Sequence, residues 1–216
     1  MAGVVVSVNV GTPRGARYRG NTVRTAIWKD PVAGPVKVGG HKVEGDEQGN
    51  PEVHGGPDKA VYAYAAEDYE WWGSELGQDL GPGTFGENLT LRGIDVSHAL
   101  VGERWRVGGA LLEVAQPRIP CFKLGIRIGS QRFPTRFAAA GRPGAYLRIL
   151  AEGEVAAGDQ AEVVHRPGHD LSVAEVSRIY HDGHAEAGRL LQVPELAGTW
   201  RPWAERFATD GPRTRG

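Results

Sequence analysis

The chain carries one cysteine in 216 residues. It lies in Gln116-Pro117-Arg118-Ile119-Pro120-Cys121-Phe122-Lys123-Leu124-Gly125. Arg118 and Lys123 flank the sulfur, and nearby cations favour a thiolate over a thiol. Pro117 and Pro120 each hold φ near about −65° and remove a backbone donor, so the stretch reads as a rigid loop leaving a strand. A lone cysteine is commonly inert packing. Inert cysteines are rarely found in rigid loops flanked by cations, so Cys121 is expected to be a thiolate, either a nucleophile or a metal ligand.

Two glycine-rich stretches carry further chemistry. In Glu52-Val53-His54-Gly55-Gly56-Pro57-Asp58-Lys59 the Gly55-Gly56 unit brings bare backbone N–H groups close to whatever His54 and Lys59 face. In Gly81-Pro82-Gly83-Thr84-Phe85-Gly86-Glu87-Asn88-Leu89-Thr90 the polar groups of Thr84, Glu87 and Asn88 are able to orient a polar ring system. Taken alone, that stretch reads better as a hairpin connection that satisfies its own polar groups. A cysteine hydrolase would pair Cys121 with His54 and a third orienting group, but no protease signature surrounds the cysteine. His165 and His169, and likewise His181 and His184, lack a carboxylate or thiolate partner at zinc-motif spacing.

The elements that must position these groups are short. Thirty-two glycines and fourteen prolines imply many tight turns, hence strands rather than a helical bundle. Strands are expected over Gly3–Val10, Thr22–Trp28, Gly34–Val38, Val61–Tyr64, Val101–Val107, Ala110–Ala115, Ala145–Leu150 and Gln160–His165, with Gly108-Gly109 as a hairpin turn. Gly11–Gly20 reads as a basic connection. Helices are expected over Ala66–Leu76, stopped by Gly77, and over Arg132–Ala140. After Arg166-Pro167-Gly168 the texture becomes helical. A capping box at Ser172–Glu175 opens one helix, and Ala185–Gln192 and Thr199–Ala208 form two more. The expected organisation is a mainly β (α+β) domain over 1–166, a three-helix extension over 167–210 and a frayed tail to 216. A formal net charge of −1 gives no reason to expect nucleic acid or an anionic membrane as a general partner. No stretch approaches the roughly 20 apolar residues of a membrane span, and the start lacks a basic leader. A cytoplasmic protein is expected.

Gly45-Asp46-Glu47-Gln48, His54-Gly55-Gly56-Pro57-Asp58-Lys59-Ala60, Phe85-Gly86-Glu87-Asn88-Leu89 and Gln116-Pro117-Arg118-x-Pro120-Cys121-x-Lys123-Leu124 occur in this order. Together they resemble the MOSC domain proteins (molybdenum cofactor sulfurase C-terminal homology) of the stand-alone bacterial YiiM type. The resemblance covers about residues 3–165, and the helical tail resembles the extension of that type. Glu103 after Gly102, where Asp is usual, and Phe122 after the cysteine, where a larger aromatic is frequent, are small departures. The resemblance implies a β-barrel-like fold that holds molybdenum cofactor (molybdopterin), with Cys121 as the protein's ligand to molybdenum. A soft thiolate suits a metal already held by sulfur. Cys121, Lys59 and Arg118 would serve the reaction. His54, Gly55, Gly56, Lys59, Thr84, Phe85, Asn88, Arg118 and Lys123 would bind the cofactor, the cations offsetting its negative charge.

The implied reaction is reduction of small N-hydroxylated compounds (hydroxylaminopurines, amidoximes, hydroxamic acids) by two electrons and two protons. One cysteine cannot hold an iron–sulfur cluster, and no flavin fingerprint is present. Electrons are therefore expected from separate flavin or iron–sulfur redox proteins. The alternative is a cofactor or sulfur carrier without turnover, in which Cys121 docks the cofactor or holds a persulfide. Neither alternative fixes the oligomeric state.

Overall fold

The computed structural model describes residues 2–47 and 55–209. His54 and the tail from 210 to 216 lie outside the described residues. The first half is built from β1 (Ala2–Val10), β2 (Arg14–Tyr18), β3 (Asn21–Thr25), β4 (Asp30–Pro31), β5 (Val36–Gly39), β6 (Lys42–Val43), a 3-10 turn at Pro57–Lys59 and β7 (Val61–Ala65). Next come α1 (Ala66–Leu76), β8 (Leu89–Arg92), β9 (Arg104–Val107), β10 (Ala110–Pro117), α2 (Phe122–Ile128) and α3 (Phe133–Ala139). The second half continues through β11 (Ala145–Ala151), β12 (Gly153–Val155), β13 (Gln160–His165), α4 (Val173–His181), 3-10 segments at His184–Gln192 and Gly198–Trp200, and α5 (Arg201–Thr209).

The strands pair in the order β13-β9-β10-β11-β7-β8-β1, and β1 returns to β13 through Ala2↔Glu162 and Val4↔Gln160. That last pairing closes a seven-stranded barrel and removes the free sheet edges on which other chains would pair. Antiparallel ladders dominate. The parallel pair β7–β8 needs a crossover, and α1 supplies it.

β7, the sequence Val-Tyr-Ala-Tyr-Ala, shows how the barrel is packed on both sides. All five residues are buried. Side chains alternate across a strand, so Val61, Ala63 and Ala65 enter the aliphatic barrel core. Tyr62 and Tyr64 join an outer aromatic cluster with Tyr69, Trp72, Phe85, Phe133 and Phe137. Burial of apolar area at about 25 cal/mol per Å² drives both layers. The aromatic layer adds directed bonds: Trp72 Nε1 donates to the Tyr64 hydroxyl at 2.9 Å, and that hydroxyl donates to the Arg142 carbonyl at 3.0 Å.

Helix signals are legible in the sequence. Gly77 caps α1 with φ 62°, and the Ser172 Oγ accepts the Glu175 N–H at 3.2 Å to start α4. Three expectations change. The Gly11–Gly20 connection contains β2, which pairs with β3 in register Ala16↔Val23. Its turn is Arg19-Gly20, with φ of 48° and 83°, and such positive values match the twist of a tight hairpin. The cysteine loop ends at Cys121, because α2 begins at Phe122 and runs to the left-handed cap Gly129. The segment around Ala185–Gln192 follows a 3-10 path, on which residues three apart share a face; Ala187 and Leu190 are accordingly both buried.

Among the C-terminal elements, Val173, Val176, Ile179, Leu190 and Trp200 belong to the same apolar cluster as the barrel core. The Ala197 N–H donates to the Ala115 carbonyl at 3.1 Å, and Trp200 Nε1 donates to Gln116 Oε1 at 2.9 Å. No helix among the described residues is long and apolar enough to cross a membrane.

Candidate active site

A cleft at one end of the barrel brings Lys59, Asn88, Arg118, Cys121 and Lys123 together. It measures roughly 600 Å³ with its open mouth included. Among the described residues, Lys29, Asp46, Glu47, Tyr62 and Tyr146 add to the polar lining, with Thr25, Ala26, Ile27 and Gly86. Cys121 is half-buried. It hangs between the end of β10 and the start of α2, in extended conformation with φ −127° and ψ 173°.

Arg118 is 6% exposed. Its guanidinium donates to the Phe85 carbonyl and lies 5.2 Å from the Tyr62 ring centre and 6.0 Å from that of Phe137. Stacked arginine over aromatic faces is a cation–π arrangement, so the side chain is held from behind and faces the cleft with its charge. Burial works against that charge. The surrounding Tyr62, Tyr146 and Cys121 outweigh it, and the arginine's pKa moves up.

Lys29 and Asp46 form a buried ion pair in the lining. Asp46 also accepts the Gly11 N–H at 2.8 Å and Asn88 Nδ2 at 3.0 Å. A buried charge with this many partners is tolerated where a bare one is not. Burial pulls the Lys29 pKa down, against the opposing pull of Asp46. Lys59, at the end of the 3-10 turn, has its pKa lowered mainly by burial, with Asp58 resisting. Burial raises the phenols of Tyr62 and Tyr146, so both stay neutral hydroxyls at ordinary pH.

The remaining sequence candidates have other tasks. Gly56 has φ 98°, which glycine adopts without strain, and it starts the turn that carries Lys59; Gly55 precedes it. Neither Gly55 nor Gly56 lines the cleft. The Thr84 hydroxyl donates to the Gly81 carbonyl at 2.7 Å, away from the cleft. The Phe85 ring is sealed in the aromatic cluster, and only its carbonyl serves the site, through Arg118. Asn88 lines the cleft but is already engaged: its Oδ1 accepts the Tyr62 N–H at 3.1 Å, and its Nδ2 serves Asn9 and Asp46.

Glu87 is fully buried behind this wall. Its Oε1 accepts from Tyr69 at 2.6 Å, the Gly83 N–H at 2.7 Å and Thr90 at 2.8 Å, and burial raises its pKa. The loop lies so close to the Lys29 backbone that a Cβ on Gly83 would fall 2.3 Å from the Lys29 carbonyl oxygen. Lys29, Asp46, Tyr62 and Tyr146 are site residues that reading the sequence does not single out. Asp46 lies in the Gly45–Gln48 motif. Lys29 is 17 residues away from it, and only the fold closes that gap.

No group of three or more His, Cys, Asp or Glu residues among the described residues is arranged to hold a metal by itself. The donor set is one thiol among cations, which suits a group that brings most of its own ligands and a negative charge. The MOSC domain pattern matches residues 50–162. The chain is 36% identical to the uncharacterized protein YflK of Bacillus subtilis, over 91% of this chain and 90% of that one. It is 32% identical to a reductase of Gibberella moniliformis, over 91% of this chain but 36% of that protein. The crystal structure of YiiM from Geobacillus stearothermophilus superposes with a TM-score of 0.77 at 33% identity, covering 95% of this chain and 98% of that one.

Proposed function

Because this chain belongs to the MOSC domain family, and to its YiiM type, we propose that the cleft holds molybdenum cofactor and reduces small N-hydroxylated compounds. The observation that carries this reading is the opening of half-buried Cys121 onto a cleft that it shares with Arg118 and Lys123. Among the described residues Lys29 is committed to Asp46, whereas Arg118 and Lys123 have no carboxylate in ion-pair contact. These two cations beside the sulfur fit an anionic cofactor with a phosphate tail.

When bound, the cofactor supplies two-electron oxygen-atom chemistry, and the protein supplies placement and charge. The Cys121 sulfur would be the protein's ligand to molybdenum. Arg118, braced by the Phe85 carbonyl and the Tyr62 ring, keeps a fixed positive charge beside that sulfur. Lys59 and Lys123 attract the cofactor's negative groups. The neutral hydroxyl of Tyr146 is able to donate to a substrate oxygen. Lys29 Nζ donates to Asp46 in the lining, and the protons come from solvent. The net reaction is R–NH–OH plus two electrons and two protons, giving R–NH₂ and water.

The test is metal analysis and hydroxylaminopurine reduction on protein from a host that makes molybdopterin. Cys121→Ala should keep the circular dichroism of the parent and lose turnover. Full activity in that variant would sink the ligand assignment. Bound cofactor in the parent without reduction by any electron donor would mark a carrier instead.

A further inference from the structure

Lys59 reaches the cleft from a short turn, not from a strand. None of the three residues of Pro57–Lys59 is buried, so apolar packing does not fix the turn's place. The Lys59 N–H donates to the Gly56 carbonyl at 3.1 Å, which closes the turn on itself. Asp58 ties it to the barrel at two points. Its carbonyl accepts Gln116 Nε2 at 3.1 Å, and its Oδ1 accepts Arg148 Nε at 2.7 Å.

Both ties are set from the C-terminal segment. A glutamine amide can turn over, exchanging its oxygen for its nitrogen. Buried Gln116 has one orientation imposed on it, because Trp200 Nε1 donates to its Oε1 at 2.9 Å. An indole N–H only donates and a backbone carbonyl only accepts, so the Trp200 bond keeps Nε2 aimed at Asp58. Arg148, on β11, spends Nε on Asp58 and one terminal nitrogen on Glu113 Oε1 at 2.9 Å and the Glu195 carbonyl at 2.8 Å. A guanidinium is planar and rigid, so holding that nitrogen also directs Nε.

The segment that supplies Glu195 and Trp200 docks at an irregularity of β10. The register of β10 against β11 shifts between Val114 and Gln116, and such a shift leaves a residue out of the ladder. The Ala115 carbonyl there accepts the Ala197 N–H at 3.1 Å. The segment therefore lies on the strand that leads to Arg118 and Cys121, although none of its residues lines the cleft.

We propose that Gln116 and Arg148 are positioning residues for Lys59, and that the C-terminal segment holds them to this task through Trp200 and the Glu195 carbonyl. The inference rests on the reading that Lys59 attracts the cofactor's negative groups. The extension then has a second use besides adding apolar core to the barrel. Through Asp58 it sets where a cation stands in a cleft that it does not touch.

The test uses the full chain with two substitutions. Trp200→Phe keeps a buried aromatic ring and changes no charge. Arg148→Lys keeps the charge but offers one nitrogen where Arg148 uses two. Amide hydrogen exchange reads the turn without any cofactor. In both variants the Lys59 amide should exchange about threefold to tenfold faster, the factor that one lost hydrogen bond is worth. The amides of Val107 and Ala161, paired between β9 and β13, should keep the parent's rates. A Lys59 amide unchanged within about twofold in both variants overturns the proposal. Equal acceleration at Val107 and Ala161 also overturns it, because it marks general loosening.

Loading joins the turn to the site. Molybdenum retained by protein from a host that makes molybdopterin should fall several-fold in Trp200→Phe. In a Lys59→Ala background the same substitution should add no further loss, since residues that act through one group are not additive. Equal losses in both backgrounds overturn the positioning role. Faster exchange at Lys59 with the parent's molybdenum content upholds the tether and overturns the reading of Lys59 as a cofactor group. A parent without molybdenum fails the cleft reading separately, and the exchange rates still decide the tether.

Discussion

Two regions of this protein use charge in opposite ways. On the C-terminal helices, Arg178 and Arg189 meet Glu175 and Glu186 in a four-membered network, with contacts of 2.6–3.0 Å. Each cation there has a carboxylate, and the network stands largely in solvent. In the cleft, among the described residues, Arg118 and Lys29 are buried, Asp46 is spent on Lys29, and Lys123 adds a second cation to Arg118. A matched network on a surface contributes a little to stability. A desolvated excess of one sign costs stability and is kept where an anion will bind. The difference implies that substitutions in the cleft should cost folding energy or cofactor, and substitutions on the helices almost nothing.

The largest effect should come from Lys29→Met, which leaves the Asp46 carboxylate buried without its cation. Breaking one partner of a buried pair costs about 3–5 kcal/mol, read as a drop in the urea midpoint at constant m-value. Lys29→Met/Asp46→Asn should recover most of that loss, because the buried charge is gone while the new amide oxygen still accepts the Gly11 N–H. A double variant as unstable as the single one would show that the pair is not what holds this wall. The double variant should nevertheless retain less molybdenum than the parent, which separates folding from function.

A smaller and cleaner contrast comes from Lys59. Lys59→Ala should cost about 1 kcal/mol or less in stability, as half-exposed positions do, while cofactor retention falls several-fold. The pH dependence carries a sign. Burial lowers the Lys59 pKa, so the ammonium is lost below the ordinary lysine value of about 10.4. Retention by the parent should weaken as pH rises through that lowered value, and retention by Lys59→Ala should be flatter. For the same reason the folded state binds fewer protons than the unfolded chain in that window, so the lysine's drag on stability is relieved as pH rises. A parent whose retention is as flat as the variant's would remove Lys59 from the anion's surroundings.

The cleft is legible in the sequence where chemistry is local and illegible where it depends on closure. Arg118, Cys121 and Lys123 lie within six residues, and a reading of neighbours finds them. Lys59 is marked by the glycine turn before it. Lys29 and Asp46 meet only because the loop carrying Gly83 packs against the Lys29 backbone and Asn88 bridges β1 to Asp46. Tyr62 and Tyr146 sit on strands β7 and β11, which pair directly, and tyrosines on strands read as core. Thr84 and Phe85 show the converse error. The resemblance to the family marks both as cofactor-binding, yet one hydroxyl closes its own turn, as the residues alone suggest, and one ring fills the aromatic layer. The strand within Gly11–Gly20 escapes a sequence reading because arginine and glycine hide a period-2 pattern whose inward residues are only Ala16 and Tyr18.

The smallest effect should be that of Glu175→Gln on the matched side. The Arg178 guanidinium, helped by Arg189 and opposed by partial burial, lowers the Glu175 pKa to about 2. A depressed carboxylate contributes stability that is present above its unfolded value of about 4.3 and is lost as pH falls toward 2. Taken at face value a shift of that size would be worth more than about 2 kcal/mol, but Arg178 and Arg189 are 44% and 39% exposed. Solvent screening should hold the real contribution near or below about 1 kcal/mol. Glu175→Gln should therefore lower Tm by a few degrees at about pH 7, by less near pH 3, and by less again in high salt, where exposed pairs are screened. Cofactor content and turnover should not move. A loss of molybdenum from this variant would mean that the helices' balanced charges and the cleft's positive excess are one system, joined through Arg148, which binds Asp58 beside Lys59 at 2.7 Å and the Glu195 carbonyl at 2.8 Å.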